Sequence, residues 1–208
     1  MNIDLTLYLV TDTRMCAERG VLTTVTEAVR GGVTAVQLRD SDASVRGLCA
    51  IAAALVDRLA GTGVPLLVND RLDVALAAGA QGVHLGQSDL PVESARAIAG
   101  PAFLIGLSVS TAQEVSNVAR LAAGTVDYLG VGPVFPTPTK PQAAPAVGLD
   151  GLAELRRSAA LPCIAIGGIN KDNAGAVRAT GVEGLAVVSA ICASDDPAGA
   201  ATLLAGIR

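Results

Sequence analysis

The stretch Pro65-Leu-Leu-Val-Asn-Asp-Arg-Leu-Asp-Val-Ala-Leu-Ala-Ala-Gly79, with Gly82-Val-His-Leu85 after it, holds one complete repeat of the fold. Pro65–Val68 is a short apolar run that reads as a buried strand, and the polar pair Asn69-Asp70 ends it. An alanine-rich stretch of helical character comes next, and Gly79 punctuates its end, where a helix commonly needs a left-handed residue. Gly82–Leu85 then opens the next strand. Outward from this unit the same alternation recurs. The other strand candidates are Leu5–Val10, Thr34–Leu38, Phe103–Leu107, Tyr128–Val131, Cys163–Ile166 and Gly184–Val188. Helical spacing appears between them, as at Leu48, Ile51, Leu55 and Leu59, with Gly31-Gly32, Gly61, Gly124 and Gly181 as further stops. Eight β-then-α units predict a parallel sheet that closes into a (β/α)8 barrel of the TIM type, one catalytic domain over residues 1–208. An open doubly wound sheet is the competitor. Val10-Thr11-Asp12-Thr13 stands after the first strand, in place of the glycine-rich turn that fold uses for dinucleotides.

Bulk composition agrees. A chain of 208 residues suits a single domain, for which about 100–200 residues is ordinary. Half of it is hydrophobic (51%) and only 2% aromatic, so the core is built from small and branched aliphatic side chains, as suits helices packed on a buried parallel sheet. The net charge of −4 argues against a nucleic-acid or anionic-membrane partner, so any anion site must be local. Cys16, Cys49, Cys163 and Cys192 have no C-x-x-C spacing and there is one histidine, which argues against a Cys/His zinc site. They read as unpaired thiols in a reducing cytoplasm. The N-terminus lacks the pattern of a secretory signal, and no apolar run approaches the ~20 residues that span a bilayer.

Polar residues collect where strands end, which in such barrels is the active-site rim. Gln37 and Arg39 share one strand face, and charge facing the interior must be paired or lie at the wet mouth. An anion at the mouth and an ion pair with a neighbour such as Asp70 account for Arg39 equally. Asp70 ends the third strand and Asp89 comes after the fourth. Neighbouring strands lie about 4.8 Å apart, so the two carboxylates can share a cation, and an oxygen donor set suits magnesium. Helix capping is the alternative for each. Residues 132–148 form a long proline-rich connection carrying Thr137, Thr139 and Lys140, longer than the roughly 2–6 residues usual between such elements, and read as a binding loop or lid. Gly167-Gly168 after the seventh strand and Val188-Ser189 after the eighth occupy the usual phosphate position of a barrel. His84 reads as a hydrogen-bonded structural residue near the mouth in preference to a catalytic base.

Taken in order, Tyr8-Leu-Val-Thr-Asp12, Val36-Gln-Leu-Arg-Asp40, Val68-Asn-Asp-Arg71, Gly82-Val-His-Leu-Gly-Gln-Ser-Asp89, residues 132–140, Ile166-Gly-Gly-Ile169 and Val188-Ser-Ala-Ile191 resemble the thiamin-phosphate synthase family over nearly the whole chain. The resemblance implies a transferase that joins hydroxymethylpyrimidine pyrophosphate to hydroxyethylthiazole phosphate and releases pyrophosphate. It further implies that Asp70 and Asp89 hold Mg2+ and that Arg39, Asn69 and Lys140 contact the pyrophosphate. Gln37 and Ser108 would face the pyrimidine. Thr137, Thr139, Gly168, Val188 and Ser189 would hold the thiazole phosphate. Two positions depart from the family pattern. Ser41 stands where a lysine is usual, and it would share the face of Gln37 and Arg39 if the strand ran that far. Ser110 stands where relatives carry a histidine, whose absence disfavours the related thiazole tautomerases. A non-catalytic barrel that binds thiamin precursors is the remaining alternative.

Overall fold

The computed structural model describes residues 3–137 and 144–207. Among them, β1 (Leu7–Val10), β2 (Ala35–Leu38), β3 (Leu66–Asn69), β4 (Gly82–Leu85), β5 (Leu104–Val109), β6 (Tyr128–Val131), β7 (Cys163–Ile166) and β8 (Gly184–Val187) pair in parallel and in sequence order, and β8 returns to β1 to close the barrel. The helices between strands are α1 (Thr13–Cys16), α2 (Gly20–Arg30), α3 (Val45–Leu59), α4 (Leu72–Ala78), α5 (Val92–Ala99), α6 (Ala112–Val118), α7 (Gly148–Ser158) and α8 (Ala174–Arg178). After β8 come α9 (Ser189–Cys192) and α10 (Pro197–Gly206). The barrel expected from the alternation is therefore the observed fold. No helix among the described residues is long and apolar enough to cross a membrane.

Local chemistry explains the helix boundaries. Ser44 caps α3 by accepting the Gly47 N–H, and Asp196 caps α10 ahead of Pro197. Thr111 and Glu114 form a reciprocal capping box on α6. Gly79 ends α4 in the left-handed conformation, at φ 72°.

Strand alternation divides the apolar residues into two layers. Leu7, Leu9, Val36, Leu38, Leu66, Val68, Val83 and Leu85 face outward and pack against the helices in one continuous cluster. Tyr8, Val10, Ala35, Leu67, Leu104, Tyr128, Ile164 and Ala186 form a separate cluster that fills the barrel. Two glycines open room in that interior. Register places His84 beside Gly106, and Gly106 beside Tyr128. A Cβ on Gly106 would overlap the Tyr128 phenol and come within 2.5 Å of His84 Nδ1, and one on Gly130 would lie 2.9 Å from His84 Cε1.

Gly106→Ala is expected to destabilise the barrel by about 1–3 kcal/mol, because neither ring can retreat in a filled interior. Gly175→Ala is the control: it lies in α8, its nearest neighbour is Ile207 Cγ2 at 3.8 Å, and it should be neutral or stabilising by up to about 1 kcal/mol. Urea denaturation of the two variants checks the contrast, and equal behaviour would contradict the packing argument.

Candidate active site at the barrel mouth

A chain of hydrogen bonds crosses the barrel just beneath its open end. Gln37 Nε2 donates to Tyr8 Oη at 3.0 Å. Tyr8 and Tyr128 join hydroxyl to hydroxyl at 2.8 Å, Tyr128 Oη meets His84 Nδ1 at 3.0 Å, and His84 Nε2 meets Ser108 Oγ at 2.9 Å. Both tyrosines are fully buried, and Gln37 and His84 nearly so. Such groups are tolerated in a dry interior only when hydrogen-bonded, and each here satisfies the next. Burial, as the main cause, pushes the Tyr8 hydroxyl from 10.0 up to about 12, against the opposing effect of its hydrogen bonds to Tyr128 and Gln37. Burial, with the neighbouring Tyr8 second, raises Tyr128 well above its ordinary value. His84 is thus hydrogen-bonded at both ring nitrogens near the mouth. Sequence reasoning missed the parts played by Tyr8 and Tyr128, although strand parity places Tyr8 with Val10 and Tyr128 with Gly130 on the interior face.

Around this floor stand the polar strand ends. Arg39 lies just past β2, and its Nη1 is 3.8 Å from Asp12 Oδ2, so its neighbour is Asp12 and not the Asp70 considered from sequence. Thr11 ties the two strand ends by accepting the Arg39 N–H at 3.0 Å. At 3.8 Å the ion pair is loose, which leaves the half-buried guanidinium suited to a second anion. Beyond it β2 does not continue. Asp40 accepts from the Thr13 hydroxyl at 2.7 Å and from the N–H groups of Asp42 and Ala43 at 3.0 Å each. Burial opposes its charge, but these bonds and Arg14 outweigh it and hold the carboxyl below 3.8. The turn Asp40 organises carries Ser41 out to an exposed position. The condition that would have placed Ser41 on the face of Gln37 and Arg39 is therefore not met, because an aspartate-nucleated turn replaces the strand.

Asn69 is the last residue of β3, in register with His84. Asp70 comes next with φ 61°, a left-handed backbone rare for a residue with a Cβ, in a three-residue turn closed by the Arg71 N–H to the Asn69 carbonyl at 2.7 Å. Its own N–H donates to the His84 carbonyl at 2.8 Å, which binds the ends of β3 and β4 together. Asp89 turns back toward β4, and its Oδ2 accepts the Gly86 N–H at 2.6 Å. The residues at the cap positions of α4 and α5 are Arg71 and Pro91, not Asp70 and Asp89. Among the described residues no group of three or more His, Cys, Asp or Glu side chains is arranged to hold a metal. A cation here would rest on two carboxylates and take its other ligands from water and substrate, which suits magnesium and not zinc.

The opposite side of the mouth is backbone-rich. Gly167 and Gly168 adopt φ 106° and 67° against Pro133 and Phe135, where a Cβ would meet those residues at 2.6 and 2.8 Å. The Val134 N–H donates to the Ile166 carbonyl and the Phe135 N–H to the Gly167 carbonyl, so the start of the long loop is laid along the end of β7. Asn173 Nδ2 secures the Gly168 carbonyl at 2.9 Å. Val188 occupies the N-cap of α9 with no side-chain cap, and Ser189 is the first residue of that helix. Thr137 is half-buried at the edge of the described loop. Thr139 and Lys140 lie outside the described residues. Ser110 donates through its N–H and hydroxyl to Glu114 at 2.6 and 3.1 Å and belongs to the start of α6.

Fold and mouth together define a (β/α)8 barrel with carboxylates at the ends of β3 and β4 and a glycine-lined rim after β7 and β8. A family model described as thiamine monophosphate synthase matches residues 7–191. The chain is 53% identical over 201 residues to the thiamine-phosphate synthase of Azorhizobium caulinodans, covering 97% of this chain and 93% of the relative. Among solved structures, a thiamine phosphate pyrophosphorylase from Pyrococcus furiosus superposes with a TM-score of 0.87 at 41% identity, covering 98% and 95% of the two chains. A 3-hexulose-6-phosphate synthase from Salmonella typhimurium, at 19% identity and TM-score 0.74, with 98% of each chain covered, shares the fold. The chain belongs to the thiamine monophosphate synthase family, a family of enzymes.

The chain has two tyrosines, and both lie in the buried chain of hydrogen bonds, so tyrosinate absorbance reads this network alone. The folded protein should show almost no tyrosinate at pH 10, with Tyr8 half-ionised only near pH 12. Because the folded value is raised, this contribution to stability is complete below pH 10 and declines as the pH rises toward 12. A spectrophotometric titration checks this, and a transition centred at the free-tyrosine value in the folded protein would contradict the burial.

Proposed function

We propose that this chain joins hydroxymethylpyrimidine pyrophosphate to hydroxyethylthiazole phosphate, giving thiamin phosphate and pyrophosphate. The observation that carries the reading is the near full-length likeness to chains named thiamine-phosphate synthase. The mouth is chemically suited to the reaction. Gln37 and Ser108, at the two ends of the buried chain, offer hydrogen-bonding groups to a flat polar ring. Arg39 and Asn69 stand at the ends of β2 and β3, where a pyrophosphate on that ring would lie, and Lys140 belongs to the loop that would cover it. Asp70 and Asp89 would hold magnesium, which when bound supplies positive charge to the leaving pyrophosphate. Gly168, Val188, Ser189, Thr137 and Thr139 would receive the thiazole phosphate across the mouth.

The chemistry is a dissociative substitution. The carbon–oxygen bond to pyrophosphate breaks, and the leaving group departs with the electron pair. The aminopyrimidine stabilises the benzylic-type cation left behind, and the thiazole nitrogen lone pair closes the new carbon–nitrogen bond. No protein nucleophile is required, and the residues named act by positioning and fixed charge. The tautomerase alternative is disfavoured by Ser110, a neutral hydroxyl committed to Glu114. The four cysteines are free thiols, three of them buried, which supports a cytoplasmic location.

Incubation of both precursors with magnesium should yield thiamin phosphate and pyrophosphate in equal amounts. Excess chelator should abolish turnover, and Asp70→Ala or Asp89→Ala should each lower kcat by on the order of 100-fold or more. Full activity in chelator would remove the metal from the account. Ser189→Asp should weaken the thiazole phosphate by roughly tenfold or more through like-charge repulsion, and the pyrimidine pyrophosphate much less. Separate titrations of the two ligands check this, and equal losses would mean that the two subsites are misplaced.

A further inference from the structure

The buried chain has a direction, and the direction reaches the ligand. Each hydroxyl carries one hydrogen, and a neutral imidazole carries one on either nitrogen. Gln37 presents Nε2 to Tyr8 Oη, so Tyr8 accepts there and gives its hydrogen to Tyr128. Tyr128 then gives its hydrogen to His84 Nδ1. With Nδ1 accepting, the ring hydrogen lies on Nε2 and points at Ser108 Oγ. Ser108 receives a hydrogen from below and keeps its own. In the reverse direction Nδ1 would donate to Tyr128 and Tyr128 to Tyr8, which would then accept from Gln37 as well and keep its own hydrogen with no acceptor among these groups. A hydroxyl hydrogen left unsatisfied in a dry interior is a costly arrangement.

We propose that Tyr8, Tyr128 and His84 are positioning residues that fix the Ser108 hydroxyl as a hydrogen-bond donor toward the mouth, so that the site selects a ligand atom able to accept there, such as a ring nitrogen of an aminopyrimidine. The proposal rests on the placement of Ser108 at the pyrimidine described above. It also gives Gly106 and Gly130 a role, since they hold open the space that keeps the His84 ring in line between Tyr128 and Ser108. The chain is a fixed dipolar support: its hydroxyl and imidazole hydrogens all point the same way and none has to move when the ligand binds.

His84 is the chain's one histidine, so nitrogen NMR of tag-free protein reads a single imidazole. The expected spectrum has Nε2 protonated and Nδ1 as the unprotonated acceptor. An Nδ1–H tautomer overturns the proposal, whatever the ligand is, and this measurement needs no variant to fold. Tyr128→Phe removes the donor to Nδ1 at almost constant volume. It should weaken binding of the pyrimidine pyrophosphate about tenfold, the loss of roughly one hydrogen bond, while leaving titrated thiazole phosphate affinity unchanged. Tyr8→Phe, one step further away, should cost less than Tyr128→Phe. Ser108→Ala should cost several-fold less in the Tyr128→Phe background than in the wild type, because both changes remove the same oriented donor. Additive losses would mark Tyr128 as packing alone and overturn the proposal. An Nε2–H ring together with Ser108→Ala binding the pyrimidine pyrophosphate as tightly as wild type would reject Ser108 as a pyrimidine contact, and with it the ligand-facing part of the proposal, while leaving the synthase reaction to its own assay.

Discussion

A closed parallel sheet brings every strand's C-terminal end to one rim, and this constraint organises the molecule. The strands have no open edge, so their backbone groups are satisfied within the barrel, and the chemistry falls to the residues just past each strand. Residues far apart in sequence, such as Arg39, Asp70, Asp89, Gly168 and Ser189, therefore come to one end of the barrel. The interior imposes the complementary demand. It must be filled, and polar side chains are admitted only when satisfied. The run from Gln37 to Ser108 meets that demand by hydrogen-bonding side by side across the barrel, on space left by Gly106 and Gly130.

The same constraint explains which parts of the fold are legible in the sequence. Strands buried on both faces read as apolar runs, and their limits fall within two residues of the expected ones, as at Leu7–Val10 against Leu5–Val10. The glycines at helix ends are equally plain. Gln37, Asn69 and Ser108 can be placed at strand ends because alternation fixes the face of a side chain once a strand is located. What alternation cannot reveal is which interior side chains touch. Tyr8 and Tyr128 are 120 residues apart in sequence and meet only because β1 and β6 face each other across a closed barrel. Their hydroxyls are the missing signal, since a tyrosine on an interior face must find a polar partner.

Expectations that rely on a strand or helix continuing fare worst. Ser41 leaves the β2 face because Asp40 collects its own turn from Thr13, Asp42 and Ala43. The position of Asp89 before Leu90-Pro91 admits a helix cap, yet its carboxylate returns to Gly86. In each case a carboxylate bonds to nearby groups more favourably than the regular element does, a competition that residue type indicates but spacing does not decide.

In the proposed function the rim would hold a pyrimidine pyrophosphate over the buried chain, with the ring at Gln37 and Ser108 and the pyrophosphate toward Arg39, Asp70 and Asp89. A crystal structure with magnesium and a non-hydrolysable analogue of that ligand tests it most directly. The expected result is a cation held by Asp70 and Asp89 beside the pyrophosphate, and a ring nitrogen within hydrogen-bond distance of Ser108 Oγ. A ring bound instead against Gly168 and Ser189, or a pyrophosphate with no cation at Asp70 and Asp89, would contradict it.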